Sequence, residues 1–104
     1  MNARDEVILE TENVRVRILV LEAGQATAWH FHSEVNDKML CLEGRIVIEF
    51  QGPRERVELC PGGRCEVTVK RLHRVVNLGR ANAKYLLVQG VGRYDFNAVD
   101  ESTL

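Results

Sequence analysis

The sequence predicts an all-β domain, closed as a sandwich or a barrel. Short apolar segments alternate with polar residues at period two, and clusters of turn-forming residues separate them at short, regular intervals. No stretch sustains a helical period. The first strand expected runs from Val14 to Leu21, where Val14, Val16, Ile18 and Val20 alternate with Arg15, Arg17, Leu19 and Leu21. Ala26–Ser33 and Lys38–Leu42 follow. After the turn at Glu43-Gly44, Ile46, Ile48 and Phe50 alternate with Arg45, Val47 and Glu49. Gln51-Gly52-Pro53 and Pro61-Gly62-Gly63 are the next turn signals. Then Cys65, Val67 and Val69 alternate with Arg64, Glu66 and Thr68, and Val75–Leu78 and Tyr85–Gln89 close the series. Met1–Glu6 and the polar tail Asp95–Leu104 are expected to be irregular.

Composition narrows the class. A chain of 104 residues predicts one domain spanning 1–104, with 45% hydrophobic and 28% charged residues, as in ordinary globular proteins. A net charge of −1 offers no strong field for nucleic acid or an anionic membrane, so neither is an expected partner. No apolar run is long enough for a membrane-spanning helix, and no secretory pattern is visible. Cys41, Cys60 and Cys65 are an odd number of cysteines, expected to be reduced thiols that pack as small hydrophobes. The expected compartment is therefore the cytoplasm.

The three histidines carry the chemical signal. His30 and His32 lie two apart on a candidate strand, so both rings leave the same face about 6.5 Å apart at the backbone. Neutral imidazole is the commonest protein ligand for divalent transition metals. Asp37, five residues after His32, and His73, from a later strand, would bring the set to four donors. The same parity turns Ala26 and Ala28 toward the histidine side, leaving room for a ligand. It sends Trp29 and Phe31 outward, where a neighbouring strand or a second subunit should cover them; a homodimer is the expectation. Glu34 competes with Asp37 for the carboxylate role. Each site residue also has a plainer reading: Asp37 as a solvated turn residue, His73 as a surface histidine in a basic loop, Asn77 as a strand cap before Gly79. Met39 and Cys41 share the parity of Asp37. Tyr85, Tyr94, Gln89 and Arg17 are candidate proton donors or anion hooks.

This spacing resembles the two motifs of the cupin superfamily, G-x5-H-x-H-x3,4-E-x6-G and G-x5-P-x-G-x2-H-x3-N. Gly24, His30, His32, Asp37 and Gly44 match the first, with Asp in place of the usual Glu; Gly62, His73 and Asn77 match the second. Thr68 and Lys70 stand where the family has Pro and Gly. The matched stretch, 24–77, is about half of the chain. The resemblance implies a single-domain jelly-roll barrel, the cupin double-stranded β-helix. It also implies one divalent transition metal (iron, manganese, nickel or zinc) held by His30, His32, Asp37 and His73.

Two function classes follow. The first is a metal-dependent enzyme on a small organic molecule, with a dioxygenase ahead of isomerase or lyase chemistry: four protein ligands leave positions of an octahedral ion open, three unpaired cysteines suggest a reduced setting, and the resemblance implies oxygenase chemistry, which many metal-binding cupins perform. The second is a small-molecule binding or sensing module without turnover, which the same barrel could equally carry. No phosphate loop, nucleophile elbow or basic-aromatic stripe is present.

Overall fold

The computed structural model describes residues 4–104. Ten strands form two five-stranded antiparallel sheets. The first has the order β1 (Arg4–Glu10), β2 (Val14–Leu21), β9 (Ala83–Gly90), β4 (Asn36–Glu43), β7 (Arg64–Val67). The second has the order β10 (Asn97–Ala98), β3 (His30–Phe31), β8 (His73–Val76), β5 (Ile46–Phe50), β6 (Glu55–Leu59). Consecutive strands repeatedly cross between the sheets, so the chain winds as a jelly roll rather than a meander.

The core follows from strand parity. Leu19, Leu21, Met39, Cys41, Tyr85 and Leu87 of the first sheet meet Ile46, Ile48, Phe50 and Val75 of the second, all buried. On β2 the inward set is Arg17, Leu19 and Leu21, whereas Val14, Val16, Ile18 and Val20 are only half-buried. The strand thus turns its arginine-bearing face into the barrel and leaves the all-aliphatic face outside. Gly44, at φ 77°, sits where an added Cβ would lie 2.9 Å from the Asn82 carbonyl oxygen, so glycine alone fits this turn.

Several elements depart from the sequence-based expectation. Residues 4–6 belong to strand β1, not to an irregular start; positions 1–3 lie outside the described residues. β1 is an edge strand whose pairing with β2 is bulged between Val7 and Leu9, and its consecutive Val7, Ile8 and Leu9 are all about half exposed. A bulge and an unburied edge both erase the period-two pattern. β6, unanticipated, is charged at the edge of the other sheet, a common protection against strand addition. The expected Ala26–Ser33 strand shortens to His30–Phe31, with an isolated bridge from Ala26 to Val76.

The tail 95–104 is also more ordered than expected. Asn97–Ala98 pairs with Phe31 and His30, and Glu101–Thr103 makes one 3-10 turn in which the Ser102 amide donates to the Asp100 side chain. This tail covers the outward aromatic: the Val99 amide donates to the Trp29 carbonyl at 2.8 Å, and the Arg74 guanidinium lies 4.9 Å from the Trp29 ring centre. Trp29 is therefore buried within its own chain. Among the described residues no helix is long and apolar enough to cross a membrane. All three cysteines are unpaired, and burial raises the thiol pKa of Cys41 and Cys65, which makes both poor nucleophiles.

Candidate metal centre

The site lies between the two sheets and takes residues from both. His30 on β3 stands directly opposite His73 on β8, which puts their side chains on one face of the second sheet. Asp37 on β4 stands opposite Gln89 on β9 and projects from the facing sheet. His32 follows β3. All four predicted ligands are buried, and one donor atom from each falls within 4.8 Å of the others. Glu34 is exposed and takes no part.

Each imidazole is oriented by a backbone carbonyl. Nδ1 of His30 lies 2.7 Å from the Ala28 oxygen, that of His32 2.6 Å from the Asp95 oxygen, and that of His73 2.8 Å from the Arg71 oxygen. A carbonyl only accepts, so each Nδ1 carries the proton and donates it. In the neutral ring Nε2 is then a bare lone pair. Nε2 of His73 and of His32 stand 3.1 and 3.3 Å from Asp37 Oδ2, which is itself an acceptor. Gln89 Nε2 donates to the other carboxylate oxygen, Oδ1, at 3.0 Å. Lone pairs facing lone pairs at such distances need a cation among them, either an added proton or a metal ion. This donor set, three imidazoles with tautomers fixed from behind plus one carboxylate held by an amide, fits a divalent transition metal and could hold one.

The electrostatics of the metal-free cluster show the same tension. Burial, then the neighbouring His73, lowers the His30 pKa to about 4. Burial also works against the charged form of His32, but the hydrogen bond and charge of Asp37 outweigh it and raise its pKa. Asp37 is opposed by its own burial, yet the two imidazoles bonded to it hold its carboxyl far below the usual range. Tyr85, wholly buried and facing the Asp37 charge, has its phenol pushed well above its ordinary value.

A cavity of about 270 Å³ opens beside the cluster. Its wall is mostly apolar, with Leu19, Met39, Val75, Leu87 and Phe96; Arg17 also lines it, as does Tyr94, whose ring centre lies 5.5 Å from that of His32. Phe96 stacks on His30 with ring centres 4.3 Å apart, and Asp95 holds His32 through its carbonyl and the Ser33 amide through its carboxylate at 2.8 Å. The segment after β9 therefore closes one side of the site. Sequence reasoning placed this segment in or beside an irregular tail; its one usable signal was the pair Tyr94 and Phe96, two aromatics in a polar stretch. Met39 lines the cavity as its parity predicts, while Cys41 packs in the core. Asn77 is structural: wholly buried, it donates to the Leu21 and Ala81 carbonyls at 3.0 and 2.8 Å and accepts from the Gly79 amide.

The loop that delivers His73 turns with Thr68 and Lys70 at the positions where the resemblance expects Pro and Gly. Lys70 takes the left-handed conformation at φ 65°. Its amide donates to the His32 carbonyl at 2.7 Å, which ties the loop to the strand end bearing the other ligands.

No family profile matches the chain, and no curated protein does. Solved structures do. A Klebsiella pneumoniae protein described by its double-stranded β-helix domain superposes with a TM-score of 0.82 at 21% identity, over 95% of this chain and 85% of that one. A cupin superfamily protein from Desulfitobacterium hafniense gives 0.75 at 17% identity, over 86% and 78% of the two chains. An oxalate oxidase gives 0.77 at 12% identity over 84% of this chain, which spans only 46% of that enzyme.

Proposed function

Since the chain has the double-stranded β-helix fold of the cupin superfamily, we propose that it binds one divalent transition metal through His30, His32, His73 and Asp37 and acts on a small organic molecule in the adjoining cavity. The observation that carries this reading is the facing of three bare Nε2 atoms and one carboxylate, each steered from behind by a carbonyl or an amide. A bound ion of this kind supplies Lewis acidity, and an iron ion adds O2 chemistry. The residues around it divide the remaining work. Gln89 keeps the Asp37 carboxylate turned to the histidines, and Phe96 shields His30 from water.

A dioxygenase is the favoured chemistry over an isomerase or lyase. Proton-shuffling reactions need a general acid or base tuned near the working pH. Of the cavity-lining residues outside the proposed ligands, Tyr85 is held protonated by burial and is a poor partner for such steps. Oxygen insertion asks less of such groups. The alternative is a binding or sensing module in which the metal holds a ligand without turning it over.

The test is elemental analysis of protein purified without chelator, followed by iron(II) reconstitution under air. About one metal per chain is expected, lost in the His30→Ala/His32→Ala double variant. A pool of catechols, thiols and keto acids should give substrate-dependent O2 uptake that the double variant lacks. Native zinc or nickel without O2 uptake transfers the reading to isomerase or lyase chemistry. Ligands that bind unchanged with every metal favour the binding module. Equal metal in wild type and double variant refutes the site.

A further inference from the structure

The cavity has a second pole, which the metal reading leaves unused. Arg17 sits on the inward face of β2, next to Leu19 and Leu21, where a strand that only packed would carry a third aliphatic. Its neighbours Val16 and Ile18 would serve that purpose, yet β2 turns them outward. Burying a guanidinium costs several kcal/mol unless it is paired and bonded, so its position needs a reason.

The pairing observed is incomplete. Nη1 donates to Asp5 Oδ2 at 2.9 Å, and Nη2 donates to Gln89 Oε1 at 2.9 Å. Nε is buried and has no partner among the described residues. Asp5, the acid paired with it among the described residues, lies on edge strand β1 with 41% of its side chain exposed, whereas 8% of the Arg17 side chain is. The counter-charge is thus peripheral and solvated while the cation lines the cavity. Gln89 bridges the two poles: its carbonyl accepts from Arg17 and its amide donates to Asp37. One glutamine side chain therefore sets the separation between the guanidinium and the proposed metal ligands. Beside Gln89 and Tyr94 the cavity wall is mostly apolar.

We infer that the cavity takes a small carboxylate with an apolar body, its carboxylate on Arg17 and its body against Leu19, Leu87 and Phe96, with the other end toward the histidine cluster. The volume of about 270 Å³ equals that of roughly nine waters in the liquid and admits a molecule of about as many non-hydrogen atoms. A planar guanidinium matches a carboxylate in charge and geometry better than it matches any neutral group. The inference rests on the proposed site for the direction in which the ligand points, but not for the anion contact itself.

Benzoate, with nine non-hydrogen atoms, and its neutral analogue benzamide are the probes. Calorimetric titration is made on chelator-treated protein and again on zinc-loaded protein. Benzoate should bind both forms, at least tenfold tighter than benzamide. Arg17→Gln should erase that preference while leaving benzamide affinity and zinc stoichiometry unchanged. Asp5→Asn should act in the opposite sense and tighten benzoate binding several-fold, because it removes the competing carboxylate; a merely structural Arg17–Asp5 pair would not give that gain. Equal binding of benzoate and benzamide, or unchanged benzoate affinity in both variants, overturns the inference. Benzoate binding that needs zinc and ignores Arg17 also overturns it, since the carboxylate would then sit on the metal. Failure of zinc to bind, with the Arg17 effects intact in the metal-free protein, sinks the metal site and leaves the anion pole standing.

Discussion

Acid should unfold the metal-free protein through His30, and the size of the effect follows from its surroundings. The folded-state pKa of His30 is lowered to about 4, chiefly by burial, against an unfolded value of 6.5. Between these values the unfolded chain binds a proton that the folded chain refuses, so stability is full above pH 6.5 and is lost as pH falls toward 4. From about pH 6 to about pH 4.5 the loss from this one group is about 1.7 kcal/mol, or a melting shift of roughly 7–10 °C for a chain of this size. The window isolates His30. The pKa of His32 is raised, so its contribution is already complete below pH 6.5, and that of Asp37 is depressed, so its loss belongs below the ordinary carboxylate range. The assay is urea unfolding of chelator-treated protein followed by Trp29, the one tryptophan and a buried one. His30→Gln, which cannot titrate, should lose about 1.7 kcal/mol less than wild type across the same window. If wild type and variant lose the same stability, His30 is not desolvated between the sheets and the cluster geometry is wrong.

Three further outcomes are expected. Asp37→Ala should weaken metal affinity at least tenfold while Glu34→Ala leaves it unchanged, because only Asp37 lies within 4.8 Å of the histidine donors; equal affinities by competitive chelator titration would reduce the site to three histidines. Lys70→Gly should stabilise the fold by about 0.5–1 kcal/mol, the left-handed strain of an L-residue less the extra chain entropy of glycine, and a lower urea midpoint would contradict that balance. A homodimer is still expected, now from the half-buried aliphatic outer face of β2 and the exposed Val7, Ile8 and Leu9 rather than from Trp29, and an 11.8 kDa particle by light scattering at micromolar concentration would refute it.

What could be read from the sequence was whatever local periodicity and ligand spacing encode. His30 and His32 announce themselves because period two holds through them, and β4 shows Asp37, Met39 and Cys41 on one face as parity demands. His73 was legible by motif spacing alone, since Thr68 and Lys70 remove the usual loop signature; the backbone adopts the left-handed turn regardless, because the Lys70 amide is bonded to His32. Strand β1 was missed because an edge strand has only one neighbour and no need for alternation, and β6 because its charges serve the edge rather than the core. The role of Gln89 was out of reach for a different reason. It is 52 residues from Asp37 and 72 from Arg17, and only the pairing of β9 between β2 and β4 brings those three together.

That same dispersal bears on how the protein is made. The four candidate ligands come from β3, β4, β8 and the segment after β3, on two sheets, with Asp37 and His73 separated by 36 residues of chain. No early hairpin holds more than a fragment of the set. Two-sheet β proteins form such distant pairings slowly, late in the search. An ion therefore has nothing worth binding until the barrel has closed, and it cannot act as a nucleus. On the proposed site, metallation would be a property of the finished fold: chelator in a refolding buffer should leave the rate of recovery of buried Trp29 unchanged and alter only the stability of what is recovered.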